Sequence, residues 1–147
     1  MAINNRVLSI EIGNSFTKIC EMDYKLKKPK VYKVLTVETP EGIVVDGMLQ
    51  PTQEYADHLV NALGTNGIRT KRVIFTISST RVASREVQIP NVKANKIEAL
   101  VKTNASDYFP VDLTQYEIGY YLAGGLAENG KLRVMALACP KALLNSY

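Results

Sequence analysis

The stretch that decides the fold is Ser9–Met22, "SIEIGNSFTKICEM". Ile10 and Ile12 alternate with Ser9 and Glu11, and a second alternating run begins after Gly13, Asn14 and Ser15. That pattern predicts a strand, a very short turn and a second strand. Two readings of the turn stand side by side. One is an ordinary hairpin. In the other, backbone N–H groups and a hydroxyl converge on a phosphate. Ser15 and Thr17 would then donate hydroxyl hydrogen bonds, and Lys18 would add charge if its side chain faces the turn. Glu11 would stand near a magnesium ion through water, because magnesium usually keeps several of its waters.

Working outward, Leu8, Ile10 and Ile12 form the apolar face of the first strand, and Phe16, Cys20 and Met22 that of the second. "KVYKVLTVET" is rich in β-branched residues and predicts a third strand, punctuated by Pro40 and Gly42. "GIVVDG" reads as a short extra strand between glycines. Three consecutive antiparallel strands therefore open the chain. "QEYADHLVNALG" follows as a helix with Thr52 as N-cap and an apolar face of Tyr55, Ala56, Leu59, Val60 and Leu63. The apolar run Val73–Ile77 predicts a strand buried on both faces, reached by a crossover to a parallel pairing.

The pattern restarts at Arg85. "REVQIP" predicts a short strand, and "NKIEALVKTNASDYF" a helix closed by Pro110. "QYEIGYYLAG" alternates as a strand, and Asn129-Gly130 predicts a two-residue hairpin into "KLRVMALAC". Arg85–Cys139 is thus a strand–helix–strand–strand module laid between two pieces of something else. "PKALLNSY" begins a helix of about two turns, marginal in isolation. The expectation is that a longer protein, or the ancestor of this one, continues past Tyr147.

The chain has 147 residues, enough for one domain or two small subdomains, and 46% of them are hydrophobic. Two cysteines, Cys20 and Cys139, lie in apolar stretches and read as free buried thiols of a reducing compartment. His58 is the single histidine, lies off the helix stripe and has no metal-ligand spacing around it. The N-terminus lacks the apolar core of a signal peptide or membrane span. The net charge is +4, with four lysines in Tyr24–Lys30, "YKLKKPK". That cluster reads as a solvated hairpin tip, or as a contact for anionic lipid or a partner. No motif points to nucleic acid.

The string "EIGNSFTK" resembles the first phosphate motif of the actin-like ATPase superfamily: an acid, an aliphatic residue, glycine, small polar residues, then Thr and Lys. More specifically, the chain resembles the type IV pilus assembly PilM family, and more distantly the cell-division family FtsA. "TPEGIVVDGML", "GIRTKRVIFTISSTRVASREVQIP" and "SDYFPVDLTQYEIGYYL" carry the resemblance in the right order. It implies an α/β (α+β) actin-like, ribonuclease H-like fold. Residues 1–84 would be the first part of subdomain 1A, 85–139 an inserted subdomain 1C, and 140–147 a return to 1A. It further implies that Gly13, Asn14, Ser15, Phe16, Thr17 and Lys18 lie at the phosphates of ATP, with Mg2+ near Glu11. The superfamily usually has Asp where this chain has Glu11, which bears on hydrolysis more than on binding. The family's second lobe and adenine site would lie beyond Tyr147, so this chain alone is expected to bind nucleotide poorly and not to be an enzyme.

For partners, the resemblance implies a scaffold gripping the cytoplasmic tail of a PilN-like inner-membrane protein, alongside other pilus assembly proteins. The protein would be cytoplasmic and peripheral to the inner membrane. Arg81, Val82, Arg85, Val87 and Ile89 are the residues expected to meet the tail, in a crevice where 1A meets 1C. The alternatives are a fragment of an actin-like ATPase or sugar kinase, or of an FtsA-like division protein.

Overall fold

A computed structural model describes residues 6–24 and 28–147. Lys25, Leu26 and Lys27 of the lysine-rich tip, and the first five residues, lie outside the described residues. The chain divides into two compact units, one running to Ser79 and taking in Tyr147, the other Thr80–Ser146. The division thus falls before Arg85, because β7 (Ala83–Ile89) already pairs with its new neighbours from Ala83 onward.

The first unit is a mixed sheet with one helix. Strands β1 (Arg6–Ile12), β2 (Phe16–Asp23) and β3 (Lys30–Glu38) form the expected antiparallel run. β4 (Val44–Val45) and β5 (Met48–Leu49) make a tiny hairpin around Asp46-Gly47, both at positive φ (51° and 78°). This is the two-residue turn that Asp-Gly favours. Helix α1 (Gln53–Thr65) starts where Thr52 accepts the Tyr55 N–H at 3.1 Å. Strand β6 (Val73–Thr76) then pairs parallel to β1, giving the order β3-β2-β1-β6.

Leu8, Ile10 and Ile12 are buried together with Ile19, Tyr55 and Ile68. Three expectations change here. The buried side of β2 is Thr17, Ile19 and Glu21, not Phe16, Cys20 and Met22. Register decides this: Ile19 stands opposite Ile10 and Thr17 opposite Ile12, so those residues share the core face. On α1 the inward residues are Tyr55, Leu59 and Leu63, while Ala56 and Val60 are exposed. β6 lies at the edge of this sheet and, though apolar, is exposed along its whole length rather than buried on both faces. His58 is exposed, as expected.

The second unit has the predicted order of strand, helix, strand and strand. β7 is followed by α2 (Ala94–Thr103), a short α3 (Ala105–Tyr108), β8 (Tyr116–Leu126) and β9 (Leu132–Pro140). β9 is central, in the order β7-β9-β8. Ile97 and Val101 of α2 pack on Ile89, Val134, Ala136 and Ala138. The predicted single helix breaks at Asn104, whose side-chain amide donates to the Leu100 carbonyl at 3.0 Å. The hairpin at Asn129-Gly130 has three loop residues, not two. The Ala127 N–H donates to the Lys131 carbonyl and the Gly130 N–H to the Ala127 carbonyl, with Gly130 at φ 74°. Helix α4 (Lys141–Ser146) follows and buries Leu143 completely. Both cysteines are free and half-buried rather than buried. Burial still raises the Cys139 thiol above its ordinary pKa.

Candidate functional site

The turn between β1 and β2 is closed by the Gly13 N–H donating to the Phe16 carbonyl at 3.0 Å. A Cβ at Gly13 would stand 3.0 Å from that same oxygen, so any side chain there would crowd the closure of the turn. The Ser15 carbonyl accepts the Thr39 N–H at 2.9 Å, which ties the turn to the end of β3. Asn14, Ser15 and Phe16 are exposed at its tip.

Behind the tip, Thr17 is completely buried. Its hydroxyl hydrogen-bonds to the Thr39 hydroxyl at 2.8 Å and to the Tyr55 hydroxyl. Thr17 is therefore a strut joining the turn to β3 and α1, and its hydroxyl points into the fold rather than toward a ligand. Lys18 lies on the other face of the sheet, where its ammonium meets Glu11 at 3.4 Å. The two residues expected to serve phosphate and metal thus neutralise each other across the β1–β2 pair.

Asn14, Ser15 and Phe16 line an open recess with Glu38, Thr39 and Glu41. This recess carries two carboxylates and no cation. Its residues alone do not fit a bare triphosphate, because the acids would repel the phosphate oxygens and Lys18 is engaged elsewhere. Among the described residues no group of three or more His, Cys, Asp or Glu is placed to hold a metal. No local pattern signals Glu38 and Glu41 at this place; the β2–β3 pairing of Phe16 with Glu38 and the chain that follows β3 bring them there.

The five residues expected to meet a partner all belong to the second unit. Arg81 and Arg85 are exposed, and Val82 and Val87 are half-buried. Arg85 donates to the Tyr108 carbonyl at 3.1 Å, which orients its guanidinium. Ile89 is 1% exposed and belongs to the core of the unit. It is corrected from a contact residue to a packing residue, because the alternation along β7 turns Val87 and Ile89 toward α2. β7 itself is an edge strand whose Ala83, Ser84, Arg85, Glu86 and Gln88 are all exposed. Beside it, Arg133 grips Glu86 through Nε at 2.7 Å and Nη2 at 3.1 Å, a fork the sequence reading missed.

Comparison with known proteins follows the same outline. The profile of a family described as type IV pilus assembly protein PilM matches residues 9–146. Among solved structures, a chain of a "PilM-PilN type IV pilus biogenesis complex" superposes with a TM-score of 0.75 at 22% identity, over 95% of this chain. This chain spans 42% of the length of that one. The cytoplasmic domain of EpsL, an inner-membrane component of the type II secretion system of Vibrio cholerae, superposes with a TM-score of 0.50 at 9% identity, over 95% of this chain and 49% of that one. Both likenesses concern the fold alone. No curated protein sequence matches.

Proposed function

This chain belongs to the type IV pilus assembly protein PilM family, and on that premise we propose that it is the partner-binding portion of a pilus assembly scaffold. Its ligand is the short cytoplasmic tail of a PilN-like inner-membrane protein. The observation that carries this reading is the family match over residues 9–146. The fold shared with a chain of a PilM-PilN type IV pilus biogenesis complex supports it.

The second unit supplies a physical means. β7 is an exposed edge strand, and an extended peptide can add to such an edge by main-chain hydrogen bonds. Arg81 and Arg85 would orient acidic groups of the tail, and Val82 would give an apolar contact. With Ile89 in the core, apolar anchoring is modest, at about 1.5–3 kcal/mol for one fully buried valine-sized side chain. Association costs consume several kcal/mol, so the complex should be micromolar or weaker. The scaffold is read as cytoplasmic, held against the inner membrane through its partner.

In this reading the chain hydrolyses no ATP and binds it poorly on its own. The acid-lined recess, with Lys18 paired to Glu11, supports that. The test is isothermal titration of a synthetic PilN-like tail against the chain, with Arg85→Glu alongside. Micromolar binding that weakens in Arg85→Glu is expected. No binding at high peptide concentration refutes the role, and equal binding by both proteins refutes the choice of Arg85.

A further inference from the structure

The end of the first unit's sheet farthest from the Gly13–Ser15 turn gathers charge from three separate segments. Arg6 opens β1, Lys28 and Lys30 lead into β3, Lys33 follows, and Arg69, Lys71 and Arg72 form the link from α1 into β6. The β1–β6 pairing, Leu8 beside Val73, brings the link against Arg6. Arg6, Glu21, Arg69, Thr70, Lys71 and Arg72 line one open recess of about 360 Å3. Among the described residues of this end, these seven cations are accompanied by the carboxylates of Glu21 and Asp23, a local charge of +5 against +4 for the whole chain.

Part of this charge is structural. Glu21 is buried; its carboxylate accepts the Thr70 hydroxyl at 2.6 Å and lies 3.9 Å from the Arg6 guanidinium. Arg6 also lies over the Tyr32 ring, 3.9 Å from its centroid. Lys33 donates to the Asn66 carbonyl at the end of α1. These contacts hold the base of the recess. Arg69, Lys71 and Arg72 are exposed and pair with no carboxylate among the described residues. Lys28 and Lys30 extend the charge outward, beside the exposed Tyr24 and Val31.

We infer that this basic end docks on the acidic phospholipid headgroups of a membrane. The cations sit on several elements around an open recess rather than in a closed socket, as suits many mobile phosphates better than one small anion. Tyr24 and Val31 are an aromatic and an aliphatic side chain placed to rest at the headgroup level. Clusters of four to eight basic residues are the range in which anionic lipid is recognised. The inference does not rest on the peptide reading, which uses the second unit alone.

The test is flotation of the full chain with phosphatidylcholine vesicles, with and without one-third phosphatidylglycerol. Binding to the acidic vesicles alone is expected at low salt, falling steeply as salt approaches about 0.5 M. The variant Arg69→Glu/Lys71→Glu/Arg72→Glu should lose roughly a hundredfold in partitioning. A control reversing Lys93, Lys96 and Lys131 to Glu in the second unit should lose far less. Circular dichroism checks that each variant is folded; Lys28→Ala/Lys30→Ala/Lys71→Ala, with a smaller expected loss, serves if the first variant is not. Absence of binding to acidic vesicles overturns the inference, as does equal loss in the control. Binding of inorganic phosphate or oligoglutamate without flotation assigns the recess to a soluble anion and overturns it as well.

Discussion

Replacing Thr17 by valine removes the central hydroxyl of a buried three-way network while keeping the side chain's shape. Thr39 and Tyr55, 6% and 2% exposed, both bond to that hydroxyl, and water cannot easily replace it. A buried polar group left without its partner costs about 1–3 kcal/mol. Two such groups are affected, and each can recover part of its loss by shifting toward the other, so Thr17→Val should cost about 2 kcal/mol. Tyr55→Phe leaves Thr17 and Thr39 paired and should cost about 1 kcal/mol. Amide hydrogen exchange at Ile10 and Ile19, on the central strands, reads the opening free energy of the first unit directly. The Thr39 amide, which donates to Ser15, should lose protection as well. If Thr17→Val shifts the opening free energy by less than about 0.5 kcal/mol, the scale of an ordinary surface change, the strut assigned to Thr17 is wrong.

Ile89→Ala should destabilise the second unit by roughly 2–5 kcal/mol, read by urea denaturation, whereas Ile89→Val should cost about 1 kcal/mol and leave tail affinity unchanged. Gly47→Ala should be destabilising, because the new Cβ would lie 2.5 Å from the Ser79 Oγ at a φ of 78°; a melting temperature equal to wild type would count against that geometry. The hydrogen bonds from Arg133 hold the Glu86 carboxyl below its ordinary pKa. A depressed carboxylate contributes stability above its unfolded pKa and loses it as pH falls through the folded value. Arg133→Gln should therefore be slightly less stable than wild type at neutral pH and equal to it in acid, with the Glu86 carboxyl titrating at higher pH by NMR.

Much of the scaffold was legible because it follows from period and punctuation. Leu8, Ile10 and Ile12 alternate, Thr52 caps α1, and the strand–helix–strand–strand module is marked at both ends by turn residues. The buried face of β2 was not legible, because its members include Thr17 and Glu21. Their burial is satisfied by Thr39, Tyr55 and Thr70, partners far away in sequence. Val73–Ile77 reads as a strand from composition, but composition says nothing of how many neighbours a strand has. The Asp46-Gly47 hairpin was hidden by the brevity of its two-residue strands. Among candidate site residues, the Gly13–Ser15 turn was foreseen, while the pairing of Lys18 with Glu11 and the acids beside the turn depend on register. Arg6, Lys30, Lys33 and Arg69–Arg72 are dispersed along the chain, and only the sheet order makes them one surface.

The central claim is that a PilN-like tail binds this chain through the second unit. An amide-resonance titration with a synthetic tail peptide tests it most directly, because it reads binding and location together. Saturable shifts in the micromolar range are expected, largest from Arg81 through β7 to Gln88 and smaller throughout the β1–β2 turn. Shifts confined to the first unit, or none at millimolar peptide, would contradict it.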